Sequence, residues 1–185
     1  MPMPIARGVA VVVDGSRVLV MKRFRRRPSA AECDVCAERA EAGPACPGHH
    51  YAVLPGGHVE PGETHEQTTL RELREETSLE GRIERLLWTG YHGARPASYF
   101  LMADLVGVPV LSGEEAEANA PDNHHELAWA TADEFDRLNL RPDELRAPLA
   151  RFLAAPGPKA PGPEAPGPES PGLGEDSGPA VAGLR

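Results

Sequence analysis

The sequence predicts a sandwich of the α/β or α+β class, and three observations carry that reading. Strand-like runs lie both before and after one long amphipathic helix, an order that favours helices layered on a sheet. Hydrophobic residues make up 41% of the 185, enough for a real core. Composition then shifts after Ala155, so the expected domain is residues 1–155, and 156–185 form an appendage.

Taken in order, Gly8 to Val13 is a continuous β-branched run that stops at Asp14-Gly15, and a second run starts at Arg17-Val18-Leu19-Val20. Two apolar runs around Asp-Gly predict a β-hairpin. Residues 25–50 lack periodicity and hold all three cysteines, which marks an insertion. Tyr51 to Leu54 reads as a short strand, ended by Pro55-Gly56-Gly57. Thr64 to about Ser78 reads as a helix, opened by a capping box of Thr64 and Gln67. Strands are expected near Ile83–Tyr91 and Ala97–Val106, then an acidic loop over 111–125 and a last strand at Glu126–Ala130. Thr131 and Glu134 form a second capping box, and Pro142 opens a final helix to about Leu153.

Residues 156–185 are half proline or glycine, with Ala-Pro-Gly-Pro recurring every fifth residue. Collagen needs glycine at every third, and such a segment cannot bury enough apolar area to offset its ordering entropy. A disordered tail is expected, either a simple solvated one or a proline-rich ligand or spacer.

A net charge of −9 argues against a general binder of polymeric nucleic acid or of anionic membranes. No apolar run reaches the roughly 18 residues of a membrane span. Met1 to Arg7 lacks a signal peptide's charged start and apolar stretch, so a cytoplasmic location is expected.

The charge is concentrated. Glu60 to Glu80 holds seven glutamates against Arg71 and Arg74. At about 100° per residue, Leu70, Leu73 and Thr77 share one edge, with Glu72, Glu75 and Glu76 on the opposite side. Like charges so placed repel. They read either as a solvated face or as oxygen ligands for a hard cation such as Mg²⁺.

Spacing favours the second reading. Gly57, five residues, Glu63, seven residues, then Arg71-Glu72-Leu73-Arg74-Glu75-Glu76-Thr77-Ser78-Leu79 resembles the Nudix box, G-x5-E-x7-R-E-U-x-E-E-x-G-U with U aliphatic. Eight of nine specified positions match, a coincidence on the order of 10⁻⁷ per start position. The departure is Ser78 in place of glycine, which puts a side chain where the helix ends left-handed. Leu54-Pro55-Gly56-Gly57 and the segment Glu126 to Phe135 also look like family features.

The resemblance implies an α/β/α sandwich around a mixed sheet. It also implies hydrolysis of a nucleoside diphosphate derivative with Mg²⁺ or Mn²⁺, by in-line attack of water at phosphorus. Carried over, Glu72, Glu75, Glu76 and the Gly56 carbonyl are the expected metal ligands. Glu63 lies near the metal, and Arg71 orients a box glutamate. The general base is Glu72, or a later-loop glutamate among Glu114, Glu115 and Glu117. Substrate contacts are expected from Arg95, Tyr91, Tyr99 and Glu115, from a partner that is a small nucleotide derivative. His124 and His125 read as surface histidines. Dimers are common in the family.

Cys33-x2-Cys36-x9-Cys46-x2-His49 offers two close ligand pairs, with His50 as an alternative fourth ligand. Three cysteines cannot all pair as disulfides, whereas Cys₃His suits a closed structural Zn²⁺ site. The alternative is three reactive thiols in a loose insertion. Two function classes follow: a hydrolase, or a nucleotide-sensing or RNA-interacting module that uses the zinc insertion for contact. The intact Arg-Glu-x-x-Glu-Glu core favours the hydrolase.

Overall fold

The structure, a computed structural model, describes residues 4–38 and 43–155. The tail 156–185 and its expected disorder lie outside the described residues.

The chain runs β1 (Arg7–Val11), β2 (Val13–Asp14), β3 (Arg17–Arg25), a 3₁₀ turn (Ala30–Glu32) and α1 (Asp34–Glu38). It continues through β4 (His49–Val53), β5 (Gly56–His58), α2 (His65–Thr77), β6 (Glu80–His92) and β7 (Arg95–Val106). Then come α3 (Gly113–Glu117), β8 (Asn123–Thr131), a second 3₁₀ turn (Ala132–Glu134) and α4 (Asp143–Ala154). The expected hairpin forms, with Asp14 opposite Arg17 and Val13 opposite Val18.

Two sheets result. The first has the order β5-β1-β7-β6 and is mixed, because β1 and β7 pair in parallel and the other pairs are antiparallel. In the second, β3 pairs with β2, β4 and β8. Period-two alternation splits β1 and β2 between two cores. Val9, Val11 and Val13 pack with Leu145, Leu149 and Leu153 of α4, whereas Ala10 and Val12 pack with Leu73 of α2, Leu79 and Phe100. Helices therefore cover both sides of the sheets, the expected α/β/α sandwich.

Helix α2 carries the candidate chemistry. Its capping box is complete, with Thr64 and Gln67 bonded reciprocally. Ser78 ends the helix at φ 58° and ψ 13°, in the left-handed conformation glycine would prefer. The helix crosses β1 at Gly8, where a Cβ would come within 2.5 Å of the His65 carbonyl and 2.7 Å of the Thr69 hydroxyl.

That crossing corrects the sequence-based packing edge. Thr69, Leu73 and Thr77 face inward, while Leu70 is 38% exposed. Rotation onto the Thr69 side carries Glu76 inward as well, to 6% exposure. The segment 111–125 is also more than a loop, since it contains α3. No helix among the described residues is long and apolar enough to cross a membrane.

Candidate active site and metal centre

One guanidinium organises the acidic face of α2. Arg71 grips Glu63 with both prongs, Nε to Oε1 at 2.8 Å and Nη2 to Oε2 at 2.9 Å. Its Nη1 donates to Glu72 at 2.8 Å and to Glu75 at 3.1 Å, and Nη2 also reaches the His58 carbonyl at 3.2 Å. The fork and the Thr68 hydroxyl hold the Glu63 carboxyl down to about 2. Three carboxylates thus share one cation and raise the Arg71 guanidinium above its ordinary value, the Glu63 bonds most strongly.

The Glu72 carboxylate lies over Gly57 of β5, where a Cβ would come within 1.9 Å of Oε1, so any side chain there would displace the carboxylate. Burial pushes the Glu72 carboxyl up, against the opposing pull of Arg71. Glu76 accepts a hydrogen bond from the Gly56 amide at 2.8 Å. Burial, the Glu115 carboxylate and Glu72 push Glu76 up to about 8. Among Glu114, Glu115 and Glu117, Glu115 on α3 is the one whose charge acts on Glu76.

This donor set suits a hard divalent cation: oxygen ligands only, and a carboxyl, Glu76, buried to 6% exposure. Arg71 already holds Glu72 and Glu75, so a metal on this face would compete with it for their oxygens. The Gly56 carbonyl accepts from Arg7 Nη2 at 2.5 Å. A metal on this carbonyl would share the oxygen with a guanidinium.

The expected substrate contacts fall into different environments. Tyr91 is 66% exposed on β6, and Arg95 is exposed at the start of β7. Tyr99 is buried, its ring stacked on Trp88 at 5.8 Å between centroids, and its hydroxyl has no hydrogen-bond partner. His125 corrects the surface reading. It is 3% exposed, and neither ring nitrogen has a partner in hydrogen-bonding geometry. Strand β8 begins at Asn123, so His125 shares a face with Leu127 and Trp129, and period-two counting from those residues would have placed it inward. Arg7 was also missed. Its only sequence signal is a charge two residues before the inward-facing Val9.

The insertion builds a second centre. Donor atoms of Cys33, Cys36, Cys46 and His49 all lie within 4.8 Å of one another, and all four residues are buried. Tetrahedral zinc bonds of about 2.0–2.3 Å put neighbouring ligand atoms about 3.3–3.8 Å apart, so the cluster fits. Cys36 Sγ sits 3.1 Å from His49 Nε2. Burial and the neighbouring Cys33 and Cys46 thiols push the Cys36 thiol up to about 12, a repulsion that a bound cation would reverse.

The structure places His49, not His50, in the cluster. His49 opens β4 opposite Arg25, whereas His50 lies on the other face, its ring tilted against Phe24 at 4.5 Å between centroids. Gly48 at φ +87° brings the chain tightly past Phe24, whose ring lies 2.6 Å from where a Cβ would sit.

The profile of the NUDIX domain matches residues 3–154. The chain belongs to that family. A protein named MutT4 of Mycobacterium tuberculosis is 36% identical over 101 residues, covering 50% of this chain. This chain spans only 38% of that relative's length. Among solved structures, a mutator MutT protein from Bacillus halodurans is similar at a TM-score of 0.50 and 18% identity, over 82% of this chain and 83% of that one. A MutT structure from work on Aliivibrio salmonicida and Vibrio cholerae gives 0.50 and 18%, over 81% of this chain and 96% of that one. These two likenesses agree with the fold.

Proposed function

We propose that this protein is a divalent-metal-dependent hydrolase of the diphosphate linkage in a nucleoside diphosphate derivative. The observation that supports this most is the gathering of Glu63, Glu72 and Glu75 on Arg71, with Glu76 buried on the same helix. Mg²⁺ or Mn²⁺, when bound, would neutralise the diphosphate and lower the pKa of water. Glu72, Glu75 and Glu76 are the proposed ligands. Arg71 fixes the rotamers of Glu72 and Glu75 through its hydrogen bonds, and Glu63 fixes Arg71. Glu72 and Glu115 are the proposed acceptors of the proton from attacking water. Tyr91, Arg95 and Tyr99 are the proposed substrate contacts.

Zn²⁺ in the Cys₃His cluster has a structural role in this reading, since four protein ligands leave no position for water. The domain then comprises 1–155 with the zinc-binding insertion at 25–50, and 156–185 is its appended tail.

The test is a panel of nucleoside diphosphate derivatives, capped dinucleotides and damaged nucleotides with Mg²⁺, comparing wild type with Glu76→Gln. Turnover of at least one member by wild type, reduced about 100-fold or more in the variant, is expected. No turnover across the panel, or an unimpaired Glu76→Gln, rejects the proposal.

A further inference from the structure

The open end of the first sheet carries polar groups that the carboxylate helix does not use. Cross-strand register aligns His58, Arg7, Ala97 and Gly90 in one row across β5, β1, β7 and β6. Directly opposed residues share a sheet face, and so do residues two apart on a strand. Tyr99 and Trp88 form the next row inward, and Arg95 with His92 the next row outward. Ala97 has only a methyl group, and a Cβ built on Gly90 meets no atom within 4 Å. Small residues thus separate the cationic positions, Ala97 at 2% exposure and Gly90 half-buried.

Those positions carry charge with no counterion in contact. Arg17, Arg71, Arg82, Arg137 and Arg146 each pair with a carboxylate, but Arg7 and Arg95 form no ion pair with a described residue. Glu76 and Glu72 act on Arg7, and Glu144 on Tyr99, only at a distance. Burial, together with Arg7, Arg95, Arg141 and Arg23, holds the His92 imidazole down to about 4 and therefore neutral. Two donors in these rows are unused: the Arg7 Nε–H and the Tyr99 hydroxyl are buried and lack any hydrogen-bond partner. Buried donors left unpaired are costly, and guanidinium and hydroxyl donors around unbalanced positive charge are complemented by an acceptor-rich anion.

We propose that Arg7, Arg95 and the Tyr99 hydroxyl, around Ala97 and Gly90 on one sheet face, form an anion subsite for a phosphate-type group of the substrate, distinct from the diphosphate at the carboxylate helix. The assignment rests on the hydrolase reading and deepens it. The two sites are linked through one residue, for Arg7 donates to the Gly56 carbonyl and the Gly56 amide donates to Glu76. A substrate spanning both would be anionic at both ends, so nucleotide derivatives with a neutral distal group would be poorly held.

Isothermal titration of inorganic pyrophosphate, in buffer without divalent metal or chelator, reads the subsite apart from turnover. The full-length chain is used, as wild type, Arg95→Gln, Tyr99→Phe and the remote control Arg17→Gln, each checked for native melting. Wild type is expected to bind, with affinity about ten-fold weaker in Arg95→Gln and in Tyr99→Phe and unchanged in Arg17→Gln. Absence of binding by wild type overturns the subsite. So does equal weakening by Arg17→Gln, which marks a diffuse charge effect, or unaltered binding by both Arg95→Gln and Tyr99→Phe. Failure of the hydrolase reading is separately visible: pyrophosphate would bind metal-free protein while no nucleotide turned over with Mg²⁺.

Discussion

The two candidate metal centres solve one electrostatic problem in opposite ways. Both bring like-charged ligands together. On α2 the chain supplies its own cation, Arg71, and leaves one edge of the face open to solvent, with Glu75 48% exposed on its side chain. In the insertion every donor is buried and the thiols press on one another. An open site with an internal cation can keep its shape while metal comes and goes. A sealed one without such a cation depends on its ion for structure. Metal loss should therefore abolish activity at the first centre and destabilise the fold at the second.

The largest expected effect is at the insertion. Purified protein should hold about one equivalent of zinc per chain, measured by elemental analysis. Cys36→Ser should lose that zinc and roughly 10 °C or more in Tm, as loss of a structural metal removes several kcal/mol. A zinc-free wild type with unchanged Tm breaks the comparison. Glu76→Gln should behave in the reverse manner. The amide keeps an acceptor for the Gly56 N–H and removes a buried charge, so Tm should stay within about 2 °C of wild type or rise. A large fall in Tm would mean that the open site, too, is structural.

The same contrast decides what was legible in the sequence. Local features came through: the Asp-Gly hairpin, both capping boxes and the cysteine spacing depend on residues close in the chain. The acidic face of α2 came through in part: Glu72 and Glu75 meet on Arg71, but Glu76 turns inward with Leu73 and Thr77. The helix rotation did not, because a helical wheel cannot know that Gly8, 61 residues before Thr69, opens the contact. His49 was separated from His50 only by strand register against β3. His125 was misplaced because the strand begins three residues earlier than Glu126. Arg7 on the Gly56 carbonyl joins residues 49 apart, beyond the reach of any local pattern.

Arg71→Gln tests whether the internal cation is what keeps the open site in shape. Neutral glutamine leaves Glu63, Glu72 and Glu75 uncompensated, so activity should fall about 10- to 100-fold and stability by about 1–3 kcal/mol. A pH series sharpens this. Glu63 is held at about 2 in the fold against an ordinary 4.5, so its contribution is complete above pH 4.5 and disappears as pH falls through about 2. Glu63→Gln should show a flatter fall of Tm over that window than wild type. Matching acid limbs would mean that the Arg71 fork contributes nothing to stability.

The smallest effect concerns the helix end that carries the box. Ser78 sits at φ 58°, a conformation that disfavours a Cβ, and its amide donates to the Arg74 carbonyl at 3.0 Å. Its hydroxyl donates to Ser112 at 3.0 Å on an exposed edge, where a hydrogen bond competes with water. Relief of left-handed strain should exceed the loss of that bond. Ser78→Gly is then expected to raise stability by about 0.5–1 kcal/mol, roughly 1–4 °C in Tm, with activity unchanged because no carboxylate moves. A fall in Tm with reduced turnover would reverse the balance. It would mean that the Ser78–Ser112 bond anchors the segment leading to Glu115 on the end of α2, and that the open site depends on a clasp as well as on Arg71.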